Sequence, residues 1–237
     1  MKKQLKHILP VILTFITVML SAVCVNAKTL TNTSQVLTLY PKSSKIYNEN
    51  RRMYAPANET ILNTNLYYGN KATSIKAKKS SYVSAVYHNN YAPALTQDKL
   101  YPSAYLKAKK AGTTTITYKI GKQKYSQKVT VKKYANPFKT LKINNLNLAS
   151  KFKSKSNYTL SYNKYRGKTL KLQYSAKKGW SLNVHYLEDA AVKGTSYRKN
   201  WIKTNGTFTV TKKNSAIIVY AYNSKASQDE QCIIFFK

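Results

Sequence analysis

Beyond its first 27 residues the chain alternates apolar and polar positions with period two, and no stretch there carries the stripe of an amphipathic helix. In the first half the alternation predicts strands at 35–40, 73–79, 82–88, 105–110, 114–120 and 125–133. In the second half it predicts them at 138–143, 158–162, 168–176, 180–187, 207–213, 215–222 and 231–236. Turn signals at Arg166-Gly167, Lys178-Gly179, Asn205-Gly206 and Asn214 separate the later strands, at the spacing of a β-sandwich. Between the halves lies "YANPFKT": Pro137 has no N–H to give a ladder and Asn136-Pro137 favours a turn, which predicts a junction there. The expected fold is therefore all-β, two antiparallel β-sandwiches in tandem, at 28–134 and 135–237. Within 168–176, Leu170, Leu172 and Tyr174 are expected to face a core, with Lys171 and Gln173 in water.

The first 27 residues break the pattern. A lysine-bearing start, an apolar stretch from Ile8 to Val23 and the small-residue end Val25-Asn26-Ala27 read as a secretory signal, with cleavage expected after Ala27. No membrane span is expected after cleavage. Of the two cysteines, Cys24 leaves with the signal, so the exported chain holds Cys232 alone and closes no internal disulfide. Cys232 sits in the apolar run "QCIIFF" and reads as a buried structural residue, pairing between two molecules being the alternative.

Charge changes the picture more than composition does. Lysine and arginine number 41 against 7 acids, and loss of Lys2, Lys3 and Lys6 with the signal takes the net charge from +34 to +31. Seven acids are few for acid/base chemistry. Asp229-Glu230 lies beside the last strand; of the acids only Glu188-Asp189 invites attention, and neighbours on a strand point to opposite faces rather than across a substrate bond. His88 and His185 have no second ligand at metal spacing, His185 being expected on the face opposite Val184 and Tyr186. No phosphate loop, nucleophile elbow or calcium loop occurs. No catalytic residue, metal or cofactor is expected, and the chain reads as a non-enzyme.

Residues 109–133, "KKAGTTTITYKIGKQKYSQKVTVKK", carry eight lysines and no acid. Together with "SSYVSAVYHNN", this stretch resembles a bacterial Ig-like domain of the group-2 kind. The likeness lies in a small-residue strand, Gly112, a Thr-rich strand with Ile116 and Tyr118 inward, and a closing strand with Val129 and Val131. It extends over residues 30–134; "TQDKLYPSAY" stands where the family has a glycine-bearing turn. Residues 135–237, from "YANPFKTLKI", resemble the lysine-rich second modules that follow such domains in secreted proteins of gut Clostridia. The resemblance implies Ig-like sandwiches acting as spacers or adhesion modules of a secreted or cell-surface protein, and transfers no catalytic residue.

So large a charge of one sign exceeds what solubility requires and repels itself within the fold, which points to an anionic counterpart. Outside a bacterial cell the counterparts are cell-wall polyanions, acidic lipid head groups, sulfated or sialylated glycans, and nucleic acid without sequence specificity. Lysine far outnumbers arginine, so the attraction is expected to be diffuse and salt-sensitive rather than bidentate. Many of the 21 tyrosines adjoin lysines, and exposed rings stack on sugars or bases. The residues singled out for binding are Arg51, Arg52, Tyr54, Tyr67, Tyr68, Tyr165, Arg166, Arg198 and Trp201, with Tyr47 and Tyr91 also outside clear strands. Trp180 is expected in the core. The alternative is a spacer or assembly module that recognises a protein partner, its charge serving solubility only. A hydrolase working through Glu188 is the remotest reading.

Overall fold

The computed structural model describes residues 28–49, 51, 53–64, 72–91, 100–188 and 199–237; the expected signal segment lies outside them. In the first half, β1 (Leu30–Leu39) is followed by a short hairpin of β2 (Lys45–Asn48) and β3 (Met53–Pro56). Then come β4 (Glu59–Ile61), β5 (Ala72–Ala77), β6 (Val83–Tyr91), β7 (Leu100–Ala108), β8 (Gly112–Ile120) and β9 (Gln123–Lys133). They form a sheet β1-β9-β8-β5 facing a sheet β4-β7-β6. With the hairpin set aside, the seven strands in chain order run 1-7-6-3 and 2-5-4, which is the Ig wiring with the first strand moved beside the last.

Between the two sheets Leu37, Val83, Leu106, Ala108, Ile116, Tyr118, Val129 and Val131 form one buried cluster. The inward positions of 109–133 are thus the ones its alternation predicts. β8 opens at Gly112, where φ is +146° and a Cβ would lie 2.9 Å from the Tyr82 ring, so only glycine suits both the backbone and the ring above it.

The second half contains β10 (Phe138–Ile143), β11 (Leu146–Asn147), a 3-10 turn (Ala149–Phe152), β12 (Asn157–Leu160), a one-turn helix α1 (Tyr162–Tyr165), β13 (Thr169–Ala176) and β14 (Trp180–Leu187). It ends with β15 (Lys199–Trp201), β16 (Thr207–Thr209), β17 (Ala216–Asn223) and β18 (Gln228–Phe236). The sheets are β11-β10-β13-β16 and β12-β18-β17-β14-β15. Phe138, Leu141, Leu170, Leu172, Val184, Tyr186, Ile217, Val219, Ile234 and Phe236 fill the space between them. Lys171 is exposed beside them, and Tyr174 packs on the rim of the core.

Three differences from the sequence reading have physical causes. The sandwiches are not wholly antiparallel: β1 runs parallel to β9 and β12 parallel to β18, because each half docks an early strand beside its last one. The expected strand 158–162 ends at Leu160, where Tyr162 begins α1, and the expected strand 207–213 ends at Thr209. Finally β2, β3, β4, β11 and β15 are only two to four residues long, too short to show a period of two.

The hairpin β2–β3 does not join either sheet. Tyr47 and Tyr54 lie on the outer face of the five-stranded sheet, against Leu187, Ala216, Ile218, Ile233 and Phe235. The ring centroid of Tyr54 is 4.9 Å from that of Phe235, edge-to-face. This cover explains why β17 and β18 read as continuous apolar runs: a sheet buried on both faces has no wet side for polar residues to occupy.

Hydrogen bonds join the two halves at the same place. Tyr47 N–H donates to Gln231 Oε1, and Gln231 N–H donates to the Tyr40 hydroxyl. Asn157 exchanges two bonds with the Lys45 backbone, Thr38 donates to the Asp229 carbonyl, and the Lys132 ammonium donates to the Ala226 carbonyl.

Candidate functional site

Lysine falls on the outward positions of the first four-stranded sheet. Along β8 and β9 the outward pairs are Thr113 with Thr130, Thr115 with Lys128, Thr117 with Ser126, and Lys119 with Lys124. On the neighbouring β5, Thr73 lies opposite Lys119 and Lys76 opposite Thr117. Lys76, Lys119, Lys124 and Lys128 are all exposed, as is Lys78 just past the end of β5. None of the four strands contains an acid. Lys119 and Lys124 are directly opposed across two strands, where like charges about 5 Å apart repel. The face is therefore a hydroxyl-rich patch rimmed by cations whose mutual repulsion an anion would relieve. A smaller version occurs on the second half, where Lys139, Lys142 and Lys171 accompany Thr140, Thr169, Thr207 and Thr209 on β10, β13 and β16.

The residues singled out from the sequence do not converge on one site. Arg52, Tyr67, Tyr68, Arg198 and the acid Asp189 lie outside the described residues. Tyr54 is taken up in packing between the halves, its hydroxyl buried and its pKa pushed up by that burial. Tyr47 is also buried there. Tyr165 packs on the end of the second core, 6.2 Å from Phe236, with the Lys164 ammonium above its ring, and Arg166 is exposed at a bridge to Val210. Arg51 belongs to the turn of the hairpin, its N–H held by Asn48 Oδ1. Trp201 lies on edge strand β15 and is 64% exposed, with the Lys203 ammonium 5.8 Å from its ring. Trp180 is half-buried at the start of β14.

The candidates expected from the sequence lie between the strands that alternation predicts, whereas Lys76, Lys119, Lys124 and Lys128 lie within strands. Their signal was available, since the alternation that sends Ile116 and Val129 inward sends these lysines outward.

Among the described residues, Glu59, Glu188 and Glu230 are engaged by neighbouring groups. His88 Nε2 lies 2.6 Å from Glu59 Oε2, and the Lys107 ammonium lies 3.8 Å from Glu59 Oε1. His88 is thus half-buried against Glu59 and the Tyr105 ring. Glu188 accepts a hydrogen bond from the Thr211 hydroxyl. Glu230 is buried at the junction of the halves, where its Oε1 accepts bonds from Ala135 N–H and the Gln228 amide, and burial pushes its pKa up to about 8. Cys232 is buried beside the Tyr134 hydroxyl, 3.3 Å away, and burial pushes its thiol pKa well up. A thiol at that depth does not meet a second chain while the fold is intact. Among the described residues no three His, Cys, Asp or Glu side chains form a metal-binding group, and no helix is long and apolar enough to cross a membrane.

These sheets define the class: an all-β protein of tandem Ig-like sandwiches. No family model matches the chain, and no curated protein matches it. Among solved structures it is similar to extracellular cadherin domains 1–5 of protocadherin gamma B2, at 10% identity and TM-score 0.28, over 90% of this chain and 40% of that one. It is also similar to domains 5–6 of the S-layer protein SbsC, at 12% identity and TM-score 0.26, over 87% and 95%. A third is the fibronectin(III)-like modules of Clostridium thermocellum CbhA, at 16% identity and TM-score 0.20, over 76% and 94%. The chain spans less than half the length of the protocadherin structure. The fold is defined by the strand order of the sheets.

Proposed function

We propose that the chain is an exported, non-catalytic bacterial adhesion protein of two Ig-like modules, 28–134 and 135–237, that holds anionic polymers of a cell envelope or host surface. The resemblance of 30–134 to bacterial Ig-like domains supports the export and the surface location. The observation that carries the reading is the outer face of β1-β9-β8-β5, where Lys76, Lys119, Lys124 and Lys128 stand among threonines in strands without an acid. Wall polyanions, acidic lipid head groups and sulfated or sialylated glycans share the chemistry this face recognises, a row of negative charges reached by ammonium groups and hydroxyl donors.

Lysine binds as a hydrated point charge, so attraction of this kind is screened by salt. Retention on isolated walls, immobilised heparin and acidic vesicles at about 0.1 M and about 1 M NaCl tests it, because the screening length falls from roughly 10 Å to roughly 3 Å between them. Retention at the lower salt that is lost at the higher is expected. Retention equal at both salts, or none on any of the three supports, contradicts the proposal.

A further inference from the structure

The outer face of the five-stranded sheet is only partly covered by the hairpin. Beyond the hairpin, the outward residues are Trp201 on β15, His185, Asn183 and Ser181 on β14, and Tyr220 and Tyr222 on β17. Trp201 pairs with His185, Asn183 with Tyr220, and Ser181 with Tyr222. The His185 and Tyr220 rings meet edge-to-face at 5.7 Å. The Tyr220 hydroxyl donates to the Glu49 carboxylate at 2.9 Å, which fixes the hairpin turn at the border of the open area. Trp201 is 64% exposed and Tyr222 44% exposed, while Asn183 and Ser181 between them are exposed polar residues. Trp201 and Tyr222 are two strands and four positions apart, a diagonal of about 16 Å.

We infer that this shelf binds a saccharide chain, its rings stacked on Trp201 and Tyr222. Its hydroxyls would meet Asn183, Ser181, Glu49 and the Lys203 ammonium. Three observations favour a sugar over the other occupants. The aromatic rings are spaced along a row with polar side chains between them, whereas a protein interface has a contiguous apolar centre. The tryptophan is on a strand, held by its pairing with β14, so a stacking ring is presented without an ordering cost. Charge also differs from the lysine face: Glu49 borders the shelf and Asp229 stands opposite Tyr222, two of only seven acids in the chain. A polyanion gains little here, whereas a hydroxyl-bearing ligand without dense charge is accepted.

The test uses the protein without its signal segment at about 0.5 M NaCl, where screening suppresses attraction by the lysine face. The probes are immobilised neutral hexasaccharides: β-1,4-glucan, β-1,4-linked N-acetylglucosamine, α-1,4-glucan and β-mannan. Binding to at least one is expected, weakened about tenfold or more in Trp201→Ala and largely kept in Trp201→Phe, which preserves a stacking ring. Charge reversal at Lys119 and Lys124 should leave it unchanged, so failure here and failure of the polyanion reading are separate results. Binding to none of the four, or binding indifferent to Trp201→Ala, overturns the inference. Self-association in sedimentation that Trp201→Ala abolishes would also overturn it, assigning the shelf to a second copy of the chain.

Discussion

Single residues decide where this fold tolerates change. Gly112 combines a φ of +146° with a Tyr82 ring 2.9 Å from its missing Cβ, so Gly112→Ala strains the backbone and displaces the ring together. A loss of about 1–3 kcal/mol in urea unfolding is expected, with wild-type stability in the variant contradicting that account. Glu230 is sensitive in another way. Its folded pKa of about 8 exceeds the usual carboxyl value, so between those two values the folded chain holds a proton that the unfolded chain has released. Its contribution is therefore fully present below about pH 4.5 and lost as pH rises through about 8. Thermal melts from pH 5 to pH 9 should show stability falling, and Glu230→Gln should flatten that fall. An unchanged fall in the variant would show that the carboxyl is ionised in the fold.

At the scale of elements, most long strands were legible in the sequence because one face of each is wet. β10 and β14 occupy the residues that alternation assigns them, and β8, β9, β13 and β17 differ from it by two residues or fewer at either end. The hairpin was not legible. Its strands have four residues each, and Tyr47 and Tyr54 beside Arg51 looked like an exposed aromatic and cationic cluster. What they face is a sheet whose contacting residues begin at Leu187, far along the chain, and no local pattern encodes so distant a partner. A trace of it existed in β17 and β18, whose unbroken apolar runs require cover on both faces. The lysine face was legible as alternation, which by itself does not mark a site. The shelf could be glimpsed only through Trp201, since Tyr220, Tyr222 and His185 are gathered by strand pairing.

The hairpin predicts how the halves unfold. Tyr47→Ala with Tyr54→Ala removes the aromatic contacts that clasp the two halves, at a cost of about 3–5 kcal/mol to their coupling. Wild type should unfold in one calorimetric transition and the double variant in two; a single transition in both would show that the clasp does not couple them.

For the whole molecule, the charge is organised rather than merely large. Each sandwich buries one face of its sheets in a core, the second half buries part of another face under the hairpin, and lysine occupies what stays in water. Attraction of a polyanion is therefore expected to follow the lysine face and not the total charge. The direct measurement compares heparin affinity against NaCl concentration for two equally charged variants. One reverses Lys76, Lys119, Lys124 and Lys128 to Glu; the other reverses the exposed Lys153, Lys155, Lys178 and Lys225 of the second half. The first is expected to lose most of the affinity and much of the salt slope, and the second to stay close to wild type. Equal losses in both would contradict the account.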